Sequence, residues 1–186
     1  MRANIIHCEN QFERLLRLYK ELEIQGINNY ELWFGIFDKT SVKKGINLAH
    51  KQIVEYAKLK EWEDVLIMED DIRFCGEGAF NYYLENKPKK FDIYLGGIYL
   101  GEIDEENKVK SFSGLHCYIV HSRFYDKFLS VPDDEHLDRI LANMGEYYVS
   151  NPFTSIQYNG KSSQTKQEEN YDNLLNGRIL YNNFQL

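Results

Sequence analysis

Three consecutive acidic residues, Glu69, Asp70 and Asp71, directly follow the apolar run VLIM at residues 65–68. If that run is a strand, its side chains alternate, so Glu69 and Asp71 point to one face and Asp70 to the other. Two carboxylates on one face, two residues apart, suit a hard divalent cation such as Mg²⁺ or Mn²⁺, which prefers oxygen ligands. The alternative is that the chain reaches solvent here and the acids are merely hydrated.

Strand and helix signals alternate along the part of the chain that must position these acids. Apolar and aromatic segments predict strands at residues 3–10, 30–37, 64–74 and 91–101. Between them, apolar residues recur at helical spacing. The unbroken apolar run of the third strand indicates that both of its faces are buried. This alternation predicts an α/β three-layer sandwich with a mainly parallel central sheet, and ligands of such sheets bind beyond the carboxyl ends of the strands.

Two helices have features that the structure can check. We expect Asn10 to cap the first helix, with Glu13 completing an approximate capping box. Its apolar stripe comprises Phe12, Leu15, Leu16, Tyr19 and Leu22. A later helix at residues 135–144 has Asp133 as its expected cap. The residues that commit one side of this helix to the core are Leu137, Ile140, Leu141 and Met144.

Composition narrows the choice of partners and compartment. The 186 residues fit one domain, which we place at residues 1–186, and the net charge of -7 leaves no basic surface for nucleic acid. The three cysteines are scattered and form no CxxC pair, which favours free thiols in a reducing compartment. The N-terminus lacks the apolar core of a signal peptide, and no stretch is long enough for a transmembrane segment. We therefore expect a cytoplasmic protein, and a peripheral contact with a membrane stays open.

An ordered set of motifs surrounds the acids. The helix segment KGINLAHKQIVEYA, which contains His50, precedes the strand LIMEDDIRF, and FDIYLGG, GLHCYIV, VPDDEHLDRIL and NPFTSIQYNGKSSQ follow. This set resembles glycosyltransferase family 25, the enzymes of lipopolysaccharide assembly and collagen galactosylation. The resemblance extends over residues 5–163. It departs from the family pattern at Ala49, where the family has Ser before His, and at Leu115, where it has Thr.

The resemblance implies a GT-A-like (Rossmann-like) enzyme that transfers a sugar from a nucleotide-diphosphate donor with a metal held by the acidic motif. By position, Asp71 would bind the metal directly, and Glu69 would reach the metal, a metal-bound water or the ribose of the donor. Asp70 would orient the strand end or a nearby water. The adjacent Gly96 and Gly97 either open space for the sugar or form the bend that leaves the strand.

An inverting transfer also needs a general base for the acceptor hydroxyl. The resemblance makes Asp138 the first candidate, and a solvated acid on an amphipathic helix is the alternative. His116 is the second candidate, because it follows Gly114 where a close backbone approach to a ligand would favour glycine. A hydrogen-bonded core histidine is the alternative for His116. We expect His50 to be structural or to orient a residue of the site.

The sequence thus predicts a metal-dependent hexosyltransferase that uses Mn²⁺ or Mg²⁺ and a nucleotide-sugar donor, UDP-linked in the first instance. Its acceptor would be a glycan or a lipid-linked saccharide. Two other classes stay open: a catalytically silent domain of the same fold that binds sugar nucleotides or glycans, and a metal-dependent phosphoesterase. A phosphoesterase would usually take further acids or histidines from other strand ends.

Overall fold

The computed structural model describes residues 1–142, 144–161, 167–175 and 177–184. Within these residues the α-helices are α1 (Phe12–Ile24), α2 (Val42–Leu59), α3 (Ala79–Glu85), α4 (Tyr125–Leu129) and α5 (Leu137–Leu141). The first strands are β1 (Ala3–His7), β2 (Tyr30–Phe34), β3 (Asp64–Glu69), β4 (Ile72–Phe74), β5 (Ile93–Leu95) and β6 (Lys108–Val109). The later strands are β7 (Cys117–His121), β8 (Tyr147–Val149), β9 (Ser155–Gln157), β10 (Gly160–Lys161) and β11 (Glu168–Glu169). Short 3₁₀ helices lie at Ser122–Phe124, Tyr171–Leu174 and Tyr181–Phe184.

The central sheet of the described residues has seven strands in the order β2-β1-β3-β7-β5-β8-β6. Strands β1, β2, β3, β5 and β8 run in one direction, and β7 and β6 run against their neighbours. The predicted mainly parallel sheet is therefore confirmed, with β7 inserted antiparallel between β3 and β5. Because of that insertion, the start of β7 lies at the same edge of the sheet as the end of β3.

Two hydrophobic cores cover the two faces of this sheet, which makes three layers. One core joins the sheet to α1 and α3, and the other joins it to α2, α4 and α5. Strand β3 contributes to both: Val65 and Ile67 face α2, whereas Leu66 and Met68 face α1. The predicted burial of both faces of this strand is confirmed, and the α/β three-layer sandwich is the observed fold.

Helix α1 is rotated relative to its predicted apolar stripe, so that only Leu15 and Leu22 of that stripe pack on the core. Phe12, Leu16 and Tyr19 are exposed by 68%, 47% and 40%, whereas Leu18 and Leu22 are buried. The expected cap was also wrong: the helix follows Gln11, whose N–H donates to the Cys8 carbonyl at 2.9 Å, and no side chain caps it. The inward side is polar as well as apolar, and its polar residues are Arg14, Glu21 and Gln25.

These inward polar groups are satisfied by distant parts of the chain, which explains why the helix can bury them. Glu21 accepts hydrogen bonds from the Phe74 N–H at 3.0 Å and from the Tyr158 hydroxyl at 2.6 Å. Gln25 accepts from the Phe80 N–H at 3.1 Å and donates to the Gly76 carbonyl at 2.8 Å. A buried polar group costs little free energy once it is hydrogen-bonded, so hydrophobicity alone misassigns the buried face.

The predicted strand at residues 64–74 is two strands with a turn between them. Strand β3 ends at Glu69, Asp70 and Asp71 form the turn, and β4 leaves the central sheet to pair antiparallel with β9. In this pairing Ile72 lies opposite Gln157. The acids therefore lie where the chain leaves one sheet for another, and β9 delivers a polar side chain to them.

The segment before α5 is fastened to α2. The Asn47 side chain donates to the carbonyl groups of Pro132, Asp133 and Glu135 at 3.2, 2.8 and 2.9 Å. The buried Lys51 donates to Asp133 Oδ1 at 2.5 Å. The predicted cap of α5 by Asp133 is therefore wrong. The carboxylate of Asp133 accepts a hydrogen bond from Lys51 of α2, and His136 is the residue that precedes the helix.

The described helices include none with the length and apolar character needed to cross a bilayer. All three cysteines are free thiols; Cys8 is exposed, and Cys75 and Cys117 are buried.

Candidate active site

A cleft with a volume of about 330 Å³ opens at the carboxyl edge of the sheet. Glu69, Asp70 and Asp71 line it, so the acids lie in a concave site and not on an open surface. On one side the cleft is bounded by the segments that follow β1 and β2 and by the first turns of α2. On the other side are the segment before β7, the start of α5 and Tyr171.

Gln157 joins Glu69 to Asp71. Its amide nitrogen donates to Glu69 Oε2 at 3.0 Å and to Asp71 Oδ1 at 3.1 Å. The two carboxylates therefore share a single amide group. Alternation along one strand does not align them, because β3 ends at Glu69. The convergence of Glu69 and Asp71 comes from the turn and from β9.

The electrostatics of Asp71 are those of an acid held beside another acid. Burial and the negative charge of Glu69 raise the pKa of Asp71 to about 7, although Arg14 and the hydrogen bond from Gln157 act in the opposite direction. Ionised Asp71 is therefore costly in the folded protein unless a cation joins it. Perturbed carboxyl groups of this kind are concentrated at functional sites.

Asp70 has a different environment, because the protein itself satisfies its carboxylate. Its Oδ2 lies 2.7 Å from His7 Nδ1 and accepts the Cys8 N–H at 3.4 Å. Its Oδ1 accepts from Arg14 Nη1 at 3.1 Å. Asp70 is nearly fully buried and ties the end of β1 and helix α1 to the acidic turn. Its contacts are those of a residue that holds the site together.

Arg14 places a positive charge beside the acids. Its Nη1 lies 3.0 Å from Asp71 Oδ2 as well as 3.1 Å from Asp70 Oδ1, and the residue lines the cleft. Burial lowers the pKa of its guanidinium, but Asp71 and Asp70 outweigh that effect and raise it. Arg14 therefore stays charged and balances part of the acidic cluster.

The carboxylate of Glu69 also contacts His50. His50 Nε2 lies 3.2 Å from Glu69 Oε1, and His50 Nδ1 lies 2.7 Å from the Tyr118 hydroxyl. When Nε2 donates to the carboxylate, Nδ1 is the acceptor for the tyrosine O–H. The expected role of His50 in orienting a site residue agrees with this geometry.

Asp138 lies on the opposite wall of the same cleft. Its Oδ2 accepts the Gly114 N–H at 3.3 Å, and its Oδ1 accepts the Arg139 N–H at 2.9 Å. Gly114 has φ +103, and a Cβ there would lie 3.0 Å from the Tyr99 ring, so glycine is required at this position. The structure thus brings Asp138 and Gly114 together beside the cleft.

Two stacked tyrosines continue this wall. The rings of Tyr99 and Tyr171 have centroids 4.9 Å apart and an interplanar angle of 30°. Both residues line the cleft, and the Tyr99 hydroxyl accepts the backbone N–H of Gln157 at 2.6 Å. Burial, together with Asp71 and Glu69, raises the pKa of Tyr171 to about 12, so this phenol stays neutral.

Three predicted site residues lie away from the cleft. His116 is fully buried; its Nε2 lies 3.0 Å from the Ser155 carbonyl, and burial lowers its pKa. A Cβ at Gly96 would lie 2.3 Å from Ser155 Oγ, and one at Gly97 would lie 2.3 Å from the Ser155 carbonyl oxygen. Close packing against β9 thus accounts for both glycines.

Arg14 and Gln157 are the residues that sequence reasoning missed. Arg14 lies one turn before Leu18 on the inward side of α1, so the signal was its helical phase with Leu18 and Leu22. Gln157 lies in the segment NPFTSIQYNGKSSQ, which was recognised as a motif without a role for this residue. The final residues of that segment, 162–164, lie outside the described residues.

The acids fit a divalent cation that is shared with a ligand. The described residues contain no group of three or more His, Cys, Asp or Glu side chains arranged as a metal cage. Glu69 and Asp71 instead offer two carboxylates; burial and the negative charge of Glu69 raise the pKa of Asp71, and a bound cation would offset that repulsion. Mg²⁺ commonly binds to one or two carboxylates together with water and substrate phosphates.

The chain is similar in fold to two solved structures. One is HddC from Yersinia pseudotuberculosis, solved as a complex with GMP-PN: the TM-score is 0.52 at 15% identity, over 84% of this chain and 92% of HddC. The other is A197 from STIV, with a TM-score of 0.51 at 12% identity, over 85% of this chain and 86% of A197. At these identities the likeness shows the fold alone. No protein-family model matches the sequence, and no curated relative was found by sequence similarity.

Proposed function

We propose that this protein is a metal-dependent glycosyltransferase of the GT-A type. It would move a hexose, such as galactose, from a nucleotide-diphosphate donor to a glycan or lipid-linked acceptor, with inversion. The observation that carries the proposal is the pair of carboxylates, Glu69 and Asp71, joined by Gln157 at the carboxyl edge of the sheet inside a cleft. The motifs that resemble family 25 supply the reaction class, and HddC, which is similar in fold and was solved as a complex with GMP-PN, supports a nucleotide donor.

On the donor side, Asp71 and Glu69 would hold the cation. When bound, that cation would neutralise the charge that develops on the leaving diphosphate. Gln157 and His50 fix the two carboxylates in position, and Asp70 holds the turn against β1. Arg14 lies in the cleft beside both aspartates, so its guanidinium is within the same site and adds a second positive charge for an anionic donor.

On the acceptor side, Asp138 is our proposed general base. It lines the cleft, and in the part of the chain that the structure describes its two oxygens accept the backbone N–H groups of Gly114 and Arg139. Asp138 would accept the proton of the acceptor hydroxyl as the sugar transfers. Full burial outside the cleft makes His116 less suited to that role.

The two alternatives make different demands on the same site. A silent sugar-nucleotide-binding domain needs the donor side but not Asp138. A phosphoesterase needs a site that activates water, and the described residues gather no third acid or histidine into a metal cage. The specific observation that favours a transferase is that Asp138, which belongs to α5, lines the same cleft as Glu69 and Asp71.

A panel of nucleotide-sugar donors tests the proposal. With Mn²⁺ present, we expect one UDP-sugar to raise the thermal unfolding temperature and to be hydrolysed slowly in the absence of an acceptor. A temperature shift without turnover would assign the protein to the silent class. Turnover of a simple phosphoester in place of any nucleotide sugar would assign it to the phosphoesterases, and no shift with any donor would overturn the proposal.

A further inference from the structure

Strand β9 is held by a strand on one edge and by other groups on its second edge. It pairs antiparallel with β4, and the described strands add no third member to this small sheet. Backbone N–H and C=O groups along a strand alternate between its two edges, so those of Ser155 and Gln157 that face away from β4 need other partners. These partners determine where the Gln157 side chain lies relative to the acids.

The second edge of β9 is satisfied largely by side chains. The Ser155 N–H donates to the Gly96 carbonyl at 3.2 Å, and the Gln157 N–H donates to the Tyr99 hydroxyl at 2.6 Å. The Ser155 carbonyl accepts a hydrogen bond from His116 Nε2 at 3.0 Å. Because a carbonyl can only accept, His116 carries its proton on Nε2.

His116 also contacts the end of β3 through its main chain. Its carbonyl accepts the Glu69 N–H at 2.9 Å. The Gln157 amide completes a closed set of contacts, because it donates to Glu69 Oε2 at 3.0 Å and to Asp71 Oδ1 at 3.1 Å. His116 therefore joins the strand that carries Glu69 to the strand that carries Gln157.

The imidazole ring of His116 is enclosed and makes one directed polar contact. The residue is fully buried, its ring centroid lies 5.7 Å from that of Tyr99, and a Cβ at Gly114 would lie 3.5 Å from its Nδ1. In the part of the chain that the structure describes, Nδ1 has no hydrogen-bond partner. The ring thus acts as a fixed donor to the Ser155 carbonyl.

We propose that His116 is a positioning residue for the cation site, a role that rests on the proposed function. It fixes Ser155 and thereby, further along β9, the Gln157 amide that joins the two acids. Residues that hold the ligands of a metal commonly set its affinity, because they orient the ligand oxygens. Gly96 and Gly97 serve the same contact sterically, since a side chain at either position would collide with Ser155.

Binding of Mn²⁺ alone, followed by electron paramagnetic resonance, tests this role with two substitutions. A glutamine amide reaches the position of imidazole Nε2, whereas an asparagine amide reaches that of Nδ1, which faces no partner. We expect His116→Asn to weaken Mn²⁺ binding by about tenfold and His116→Gln to keep it within about twofold. Thr154→Val is the control. It removes a buried hydroxyl that donates to the Gly96 carbonyl at 3.3 Å, and Mn²⁺ affinity should stay unchanged.

A double-variant cycle tests whether the effect passes through Gln157. Gln157→Ala should itself weaken Mn²⁺ binding by about tenfold, and His116→Asn should add nothing in that background, because the contact that it supports is already lost. Tyr99→Phe removes the other side-chain partner of this edge and should weaken Mn²⁺ binding by about threefold. This milder variant tests the same edge if His116→Asn does not fold, and unchanged affinity in Tyr99→Phe would then count against the role of the edge.

Hydrogen exchange of the Gln157 side-chain amide, followed by NMR in EDTA, measures the positioning without metal. Exchange should be faster in His116→Asn than in the natural protein or in His116→Gln. Unchanged exchange in His116→Asn would overturn the role of His116, as would additive losses in the double variant or an equal loss of Mn²⁺ affinity in Thr154→Val. A natural protein that binds no Mn²⁺, but whose Gln157 exchange still depends on His116, would confirm the contact and overturn the proposed function.

Discussion

The wall of the cleft that carries the acids is tied together far more densely than the wall that carries Asp138. Glu69 is held by Gln157 and His50, and Asp70 is held by His7 and Arg14. These partners come from β1, α1, α2 and β9. A rigid arrangement of this kind suits the recognition of a fixed group such as a diphosphate, because the site does not have to be ordered when the ligand binds.

The Asp138 wall is built from short segments. Helix α5 has five residues, and the side chain of Asp138 is held by the backbone N–H groups of Gly114 and Arg139. The segment before α5 is held by α2, because Asn47 and Lys51 form hydrogen bonds with Asp133. The comparison indicates that substitutions on the acid wall change binding, whereas substitutions on the other wall change transfer.

The largest expected effect is on the Asp138 wall. Asp138→Asn should lower the rate of transfer at saturating donor by roughly 10²-fold or more, the usual contribution of a general base, while donor and metal affinity stay the same. Asp134→Asn is the control, because Asp134 is an exposed acid in the same segment. Near-normal turnover of Asp138→Asn would contradict the assignment of transfer to the wall that carries Asp138.

The next effect is on Arg14. Removal of a positive charge 3.0 Å from Asp71 should strengthen the binding of Mn²⁺ alone by about tenfold in Arg14→Gln. The gain should shrink when UDP is present, since the diphosphate loses a positive neighbour. Arg17→Gln, which removes the same charge one turn further along α1, should change neither affinity. Weaker Mn²⁺ binding in Arg14→Gln would show that this arginine supports the cation site and does not oppose it.

A separate effect concerns the pH dependence of stability. The folded-state pKa of Asp71 is raised to about 7 from an ordinary value of 3.8, so the protein without metal loses stability as pH rises through that interval. Asp71→Asn has no such group. Relative to the natural protein, its free energy of unfolding should therefore rise by roughly 2–3 kcal/mol between pH 5 and pH 8. Urea unfolding in EDTA measures this difference, and a difference that is constant with pH would refute the assigned pKa.

The smallest effect lies behind the acid wall. Tyr118→Phe removes the hydroxyl that fixes His50, so nucleotide affinity should fall by about threefold and stability by about 1 kcal/mol. Tyr83→Phe is the control: Tyr83 is also fully buried, and its hydroxyl donates to the Tyr94 carbonyl at 2.6 Å on the other face of the sheet. It should lose similar stability without a change in affinity. Equal nucleotide affinities for the two variants would show that the hydrogen bond from Tyr118 to His50 does not contribute to nucleotide binding.

The sequence predicted the layers of the fold and the position of the acids because both depend on local patterns. Alternating strand and helix signals predict the sheet, and an apolar run that ends in carboxylates places them at its carboxyl edge. The buried side of α1 depends instead on partners far away in the chain. Arg14, Glu21 and Gln25 look solvent-exposed until Asp71, Phe74 and Gly76 are in place beside them.

The same reason separates the site residues that could be predicted from those that could not. Glu69 and Asp71 stand together in the sequence, whereas Gln157 reaches them only because β4 pairs with β9. His116 and the two glycines at 96 and 97 matched motifs, but close packing around Ser155 accounts for their positions. A motif identifies a position that the fold constrains; the neighbours of that position determine whether the constraint is chemical or steric.

Calorimetric titration of UDP in the presence of Mn²⁺ tests the central claim most directly, with EDTA-treated protein and Asp71→Asn in parallel. We expect the natural protein to bind UDP only with Mn²⁺, and we expect Asp71→Asn to fold but to lose roughly 1.5–3 kcal/mol of this binding, the range for charge-assisted contacts. An affinity for UDP that is unchanged by EDTA, or by Asp71→Asn, would contradict a cation site at Glu69 and Asp71.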